Sequence, residues 1–118
     1  MYKLEQLTEY DFHDSLLEDI LYDECNKKLL FKIDFCNWKQ EWYNEADEET
    51  SMISIVFNNV SNIVLPEHQL NSDEIIEFEV LTENSIRVVI FNDIEDVSYE
   101  IIIYAETVEI INCLWFMF

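Results

Sequence analysis

Three short stretches of the chain carry side chains that could do chemistry. In the first, His13-Asp14-Ser15, an imidazole, a carboxylate and a hydroxyl follow one another. A serine nucleophile needs those groups linked by hydrogen bonds, with the base oriented by a third group. In an extended chain alternate side chains share a face, so His13 and Ser15 are expected to point together with nothing placed to orient the imidazole. A glycine-rich oxyanion or phosphate cradle is not available, because the chain contains no Gly. His13 and Asp14 are therefore expected to organise the turn into the first strand by side-chain to backbone hydrogen bonds, and the protein is expected not to be an enzyme.

The second stretch holds Asp93, Glu95 and Asp96, close enough in sequence for a calcium loop. The helix-loop-helix calcium motif needs a Gly at its bend and a helix on either side. With neither readable here, a solvated acidic loop and no metal are expected. His13, His68 and Cys36 are too scattered for a local ligand spacing. Cys25, Cys36 and Cys113 are odd in number and form no C-x-x-C pair. They read as small apolar side chains in a reducing compartment, which places the protein in the cytoplasm. No cofactor is expected.

The third stretch is Trp38 and Trp42 with Tyr43. Their spacing fits one helical turn or the end of a strand. Two outcomes are open: burial in the core, or an exposed aromatic anchor of the kind that dominates protein interfaces. The same pair of outcomes applies to Trp115, Phe116 and Phe118.

The elements that must position these residues are mostly strands. Leu29, Phe31, Ile33 and Phe35 alternate strictly, and with Leu16 to Tyr22 they predict a β-hairpin across Asp23 to Lys27. Further strands are predicted from Met52 to Phe57, from Val60 to Leu65, at Ile76, Phe78 and Val80 with Glu77 and Glu79 facing out, from Ile86 to Phe91, from Val97 to Tyr104 and from Val108 to Ile111. Glu67 to Glu74 reads as a loop, or a helical turn capped by Ser72. Seven to eight short strands with polar connections describe an antiparallel β-sandwich or partly open barrel, one domain over residues 1–118. Half of the residues are hydrophobic, enough for one core.

Six Lys and Arg stand against 26 Asp and Glu, a formal net charge of −20. That field repels nucleic acid and anionic membrane and favours a basic partner or a cation. The N-terminus shows no apolar run behind a basic start, and no stretch has the length of a membrane span.

Phe12-His13-Asp14-Ser15, followed by Leu16-Leu17 and later by Ile33-Asp34-Phe35-Cys36-Asn37-Trp38-Lys39-Gln40, resembles a family of small uncharacterised bacterial proteins. The resemblance covers roughly the first 65 residues, including Val56-Phe57 and Asn59-Val60, and continues only as a strand pattern. Such proteins are similar to the immunity partners of bacterial toxins in being short, acidic, cytoplasmic and β-rich. The resemblance implies a fold and a cellular setting, and brings no catalytic residue or cofactor with it.

Charge and resemblance together give the expected function: a non-catalytic acidic protein that binds a basic protein, of the type of an immunity inhibitor. Glu77, Glu79, Asp93, Glu95 and Asp96, the loop Asp47-Glu48-Glu49, and Trp38 and Trp42 are the candidate contacts. The alternative is a structural or homo-oligomeric module associating through apolar surface and the C-terminal aromatics. A protein in which Cys25, Cys36 and Cys113 are all replaced by Ser is expected to keep its far-ultraviolet circular dichroism spectrum. A collapse of that spectrum would assign the thiols a structural bond.

Overall fold

Nine strands form a single antiparallel sheet in the computed structural model, which describes residues 2–46 and 48–112. They are β1 (Tyr2–Lys3), β2 (Leu16–Asp23), β3 (Lys28–Cys36), β4 (Thr50–Asn58), β5 (Asn62–Val64), β6 (Asp73–Thr82), β7 (Ser85–Asn92), β8 (Val97–Tyr104) and β9 (Thr107–Asn112). Their spatial order is β1-β9-β4-β3-β2-β6-β7-β8-β5. The expected mainly β architecture is present, and the strand beyond the eight predicted is β1, which is too short to show a period.

One junction bends the sheet. β2 pairs with β3 along its length, from Leu16↔Asp34 to Asp23↔Lys28. With β6 it pairs only at Leu16↔Glu74 and Leu17↔Asp73. Beyond those two pairs β2 and β6 part, so the sheet divides into halves that share one core. Phe31, Ile33, Ile55, Phe57 and Val108 enter it from one half, and Ile75, Ile86, Val88, Ile90, Ile101 and Ile103 from the other. The edges are β1 and β5, which do not meet, so the barrel is open. A 3₁₀ helix at Leu4–Glu9 packs on β6 and buries Leu4 and Leu7. Beside it Phe12 lies 4.3 Å from Phe78 and 5.4 Å from Phe35, ring centre to ring centre.

Two local features differ from the alternation read in the sequence. A bulge at Ile76 shifts the β6 register between Ile75↔Ile90 and Glu77↔Val89. The extra residue changes the phase of the strand, so Ile75 occupies the core in place of Ile76, while Phe78 and Val80 pack against it half-buried. The loop before β6 is shorter than expected: Asp73 and Glu74 already belong to the strand, and Ser72 adopts a left-handed φ of 53° where a helix cap was one reading. Val60 is buried outside any strand, ahead of β5.

Among the described residues no helix is long and apolar enough to cross a membrane. Phe31 is fully buried and meets Phe57 edge-on at 5.3 Å, so Phe31→Ala is expected to cost about 3–5 kcal/mol. Phe78→Ala should cost clearly less, because its ring is only half-buried. Urea unfolding of the two variants checks the order, and equal losses would contradict this account of the bulged strand.

Candidate functional site

The register gathers several connections at one rim of the sheet. β2, β4, β6 and β8 start there, and β3 and β7 end there. Residues 10–15, 37–46, 48–49, 65–72 and 93–96 therefore form this rim. Trp38, Trp42, Glu48, Glu49, Asp93, Glu95 and Asp96 all lie on its connections. Asp47 lies outside the described residues, as do Cys113, Trp115, Phe116 and Phe118. Glu77 and Glu79 are not part of the rim: they sit on the outer face of β6, opposite Val89 and Arg87.

Trp38 and Trp42 are 49% and 55% exposed, so the core-burial outcome does not hold for them. Phe35 is the last bulky β3 side chain turned into the core. The 3₁₀ turn Asn37–Lys39 then points Asn37 inward and Trp38 out. Trp42 follows outside that turn, so the pair is neither one helical turn nor a strand end. The frame beneath is hydrogen-bonded. Gln40 donates through Nε2 to the carbonyls of Asp11 and Cys36, at 2.7 and 2.9 Å, and accepts from the Asp11 N–H at 2.9 Å. Asn37 Nδ2 donates to the Glu48 carbonyl at 3.1 Å, and the Trp38 N–H to the Glu49 carbonyl at 3.2 Å.

His13 and Ser15 do not share a face as the extended-chain reading required. Asp14 has φ 72°, a left-handed turn, which leaves His13 exposed and sends Ser15 into the interior. Ser15 Oγ there accepts the Cys36 N–H at 3.0 Å. The side chain that shapes the turn is Asp11, whose Oδ1 accepts the His13 N–H at 3.0 Å. Cys36 Sγ donates to the Asp14 carbonyl at 3.4 Å. Burial pushes this thiol above its ordinary range, so it is neutral and unreactive at pH 7.

At the seam Asp14 and Glu74 hydrogen-bond carboxyl to carboxyl. That bond to Glu74 holds Asp14 below the usual carboxylate range, helped by Lys39 and His13. The same bond, then burial, pushes Glu74 above it. Lys39 Nζ lies 3.2 Å from Asp14 Oδ2 and 3.8 Å from Asp11 Oδ2. Asp14, Glu74, Asp93 and Ser72 line a cleft of about 230 Å³ with Leu16 and Phe91. A proton shared between two carboxyls is suited to acid–base work. The serine and the thiol beside it are both turned inward, so the cleft presents no nucleophile from them.

Glu77, Glu79, Glu95 and Glu100 have partners as well. Arg87, the one arginine of the sequence, stands opposite Glu79 and diagonal to Glu77 and Glu100. It binds Glu77 through a short hydrogen bond, Glu100 at 2.5 Å and Glu79 at 3.7 Å. Glu95 accepts from the Tyr99 hydroxyl at 3.1 Å and lies 3.9 Å from His68 Nδ1. Burial, then the bond to Glu95, raises the Tyr99 hydroxyl above its ordinary range.

Sequence reading missed the pair of His68 and Asp73, whose side chains are 3% and 1% exposed and joined by a short hydrogen bond. Asn92 Nδ2 also donates to Asp73 at 3.1 Å, and the His68 ring stacks on Tyr99 with centres 4.0 Å apart. A histidine in an irregular loop has no periodicity to reveal its partner. Among the described residues no three His, Cys, Asp or Glu side chains converge as a metal site.

No family model, curated protein or solved structure matches the chain. What the rim can do chemically is offer exposed indoles and exposed carboxylates side by side on a rigid base.

The Asp14–Glu74 pair carries a pH dependence. With its value raised on folding, the Glu74 contribution is present below its unfolded value and fades as pH rises through the folded one. With its value lowered, the Asp14 contribution is present above its unfolded value and is lost as pH falls through the folded one. The pair therefore stabilises most between the two, and the two carboxylates repel once pH has risen past the raised Glu74 value. Glu74→Gln, whose amide donates to Asp14 throughout, is expected to remove the loss on the alkaline side. Asp14 is 36% exposed, so solvent screening holds the gain to about 0.2–1 kcal/mol. Urea midpoints between about pH 4 and 8 check it, and parallel profiles would contradict it.

Proposed function

We propose that this is a non-catalytic cytoplasmic protein that binds a basic protein partner through the rim, in the manner of an immunity protein covering the cationic surface of a bacterial toxin. The observation that carries the reading is the exposure of Trp38 and Trp42 on a hydrogen-bonded frame at the same rim as Glu48, Glu49, Glu95 and Asp96. Large aromatics at the centre of a charged surface are what tight protein interfaces use as anchors. Carboxylates around them steer a cationic partner and speed its encounter.

The net charge of −20 supports a basic protein over nucleic acid or an anionic membrane. The inward Ser15 and the raised Cys36 thiol support binding over catalysis. Glu77 and Glu79 share Arg87 with Glu100, so they contribute to the general field and less to a specific contact.

Affinity capture with this protein as bait, followed by association kinetics on the captured protein, tests the reading. A basic partner is expected, with an association rate that falls steeply between about 0.05 and 0.5 M salt as screening shortens electrostatic reach from well over 10 Å to below 8 Å. Reversal of Glu48, Glu49, Glu95 and Asp96 to Lys is expected to slow association at least tenfold, and reversal of Glu77 and Glu79 to slow it less. A salt-independent rate that survives the rim reversals would exclude electrostatic recognition.

A further inference from the structure

The indoles of the rim carry a sharper assignment, one that rests on the reading just given. We infer that Trp38 and Trp42 are receptors for arginine side chains of the partner, so that the protein selects arginine over lysine at equal charge.

Trp38 already shows the chemistry within the chain. The Lys39 ammonium lies 5.8 Å from its ring centre, within the distance at which a cation is attracted by the face of an indole. Lys39 is also fixed by Asp14 and Asp11, so it is part of the frame. The exposed half of Trp38 and the exposed Trp42 remain open to a second cation. Glu41, Glu45, Glu48 and Glu49 lie on the same β3–β4 connection, all exposed, with the Glu48 and Glu49 carbonyls bonded to Asn37 and Trp38. A flat indole beside a carboxylate is matched by a group that is itself flat, weakly hydrated and able to give two parallel hydrogen bonds. Guanidinium meets all three conditions, while ammonium is compact and holds its water. The frame made by Gln40 and Asn37 presets the surface, which lowers the ordering cost of binding.

A second copy of the chain is a poor occupant. It would bring the same charge of −20, and its one arginine is engaged by three glutamates. The occupant is therefore a foreign protein that projects arginine.

The test uses two synthetic nonapeptides of equal charge, one built on arginine and one on lysine, titrated calorimetrically into the full chain at about 50 mM salt. The wild type is expected to bind the arginine peptide about five- to tenfold more tightly, the ratio that a cation–π difference near 1 kcal/mol gives. Trp38→Ala with Trp42→Ala is expected to abolish the preference and keep the weaker, salt-dependent binding of both peptides. Both side chains are half exposed, so the urea midpoint should hold; should the double variant not fold, Trp42→Ala alone, which lies outside the 3₁₀ turn, is read in the same way. Equal affinities in the wild type, or a preference that survives the Trp variants, would overturn the arginine assignment and leave the acidic-binding reading standing. If neither peptide binds the wild type at low salt, both fall. A dimer in sedimentation that the Trp variants dissolve would make a second copy the occupant and overturn the assignment as well.

Discussion

The fold turns on the two residue pairs that join β2 to β6. A nine-stranded sheet cannot bury both faces of so many apolar strands unless it bends, and this seam is where it bends. Backbone hydrogen bonds extend the seam backwards past the strand start: Asp14 N–H to the Ile75 carbonyl at 2.9 Å, and Ile75 N–H to the Ser15 carbonyl at 2.8 Å. The left-handed φ at Asp14 is what lets the chain make both bonds, and aspartate tolerates that conformation better than most residues. Ser15, Cys36 and Gln40 then tie the same turn to the end of β3. The bend and the rim are consequences of one local arrangement.

Electrostatics sharpen that picture. A chain of charge −20 repels itself, and two of its six cations stand among clustered carboxylates. Lys39 sits between Asp11 and Asp14 at the seam, and Arg87 between three glutamates on the outer face. Exposed pairs of this sort are each worth little in stability, but they decide where negative charge is offset and where it is not. Glu41, Glu45, Glu48 and Glu49, exposed on the same connection as the indoles, have no guanidinium on that connection, since the one arginine lies on β7.

Much of the fold was legible in the sequence because strand alternation is a local signal. β2, β3 and β8 match the expected spans within a residue or two, and the hairpin at residues 24–27 stands where it was read. What period-two reading could not see was a change of phase. The bulge at Ile76 sits in the run Ile75-Ile76, where two isoleucines compete for one inward position and pairing with β7 decides between them. Likewise the positive φ at Asp14 inverts the relation of His13 to Ser15 without a glycine to announce it. Of the candidate site, Trp38, Trp42 and the turn Asp93, Glu95 and Asp96 proved to share a rim, while Glu77 and Glu79 did not. Their separation depends on strand register, a long-range property that composition does not encode.

Exposure of the two tryptophans is the feature that stability alone does not explain. Gln40 makes three hydrogen bonds to fix a turn whose product is an indole in water. Burying large apolar surface stabilises a fold by about 25 cal/mol per Å², and this turn forgoes that gain for both side chains. A solvated loop would need no such frame, since polar residues on a flexible connection are soluble and cheap to leave unordered. An ordered turn that holds aromatics outside the core forgoes burial that the fold itself could have used, and that is what supports the proposed binding role for this rim.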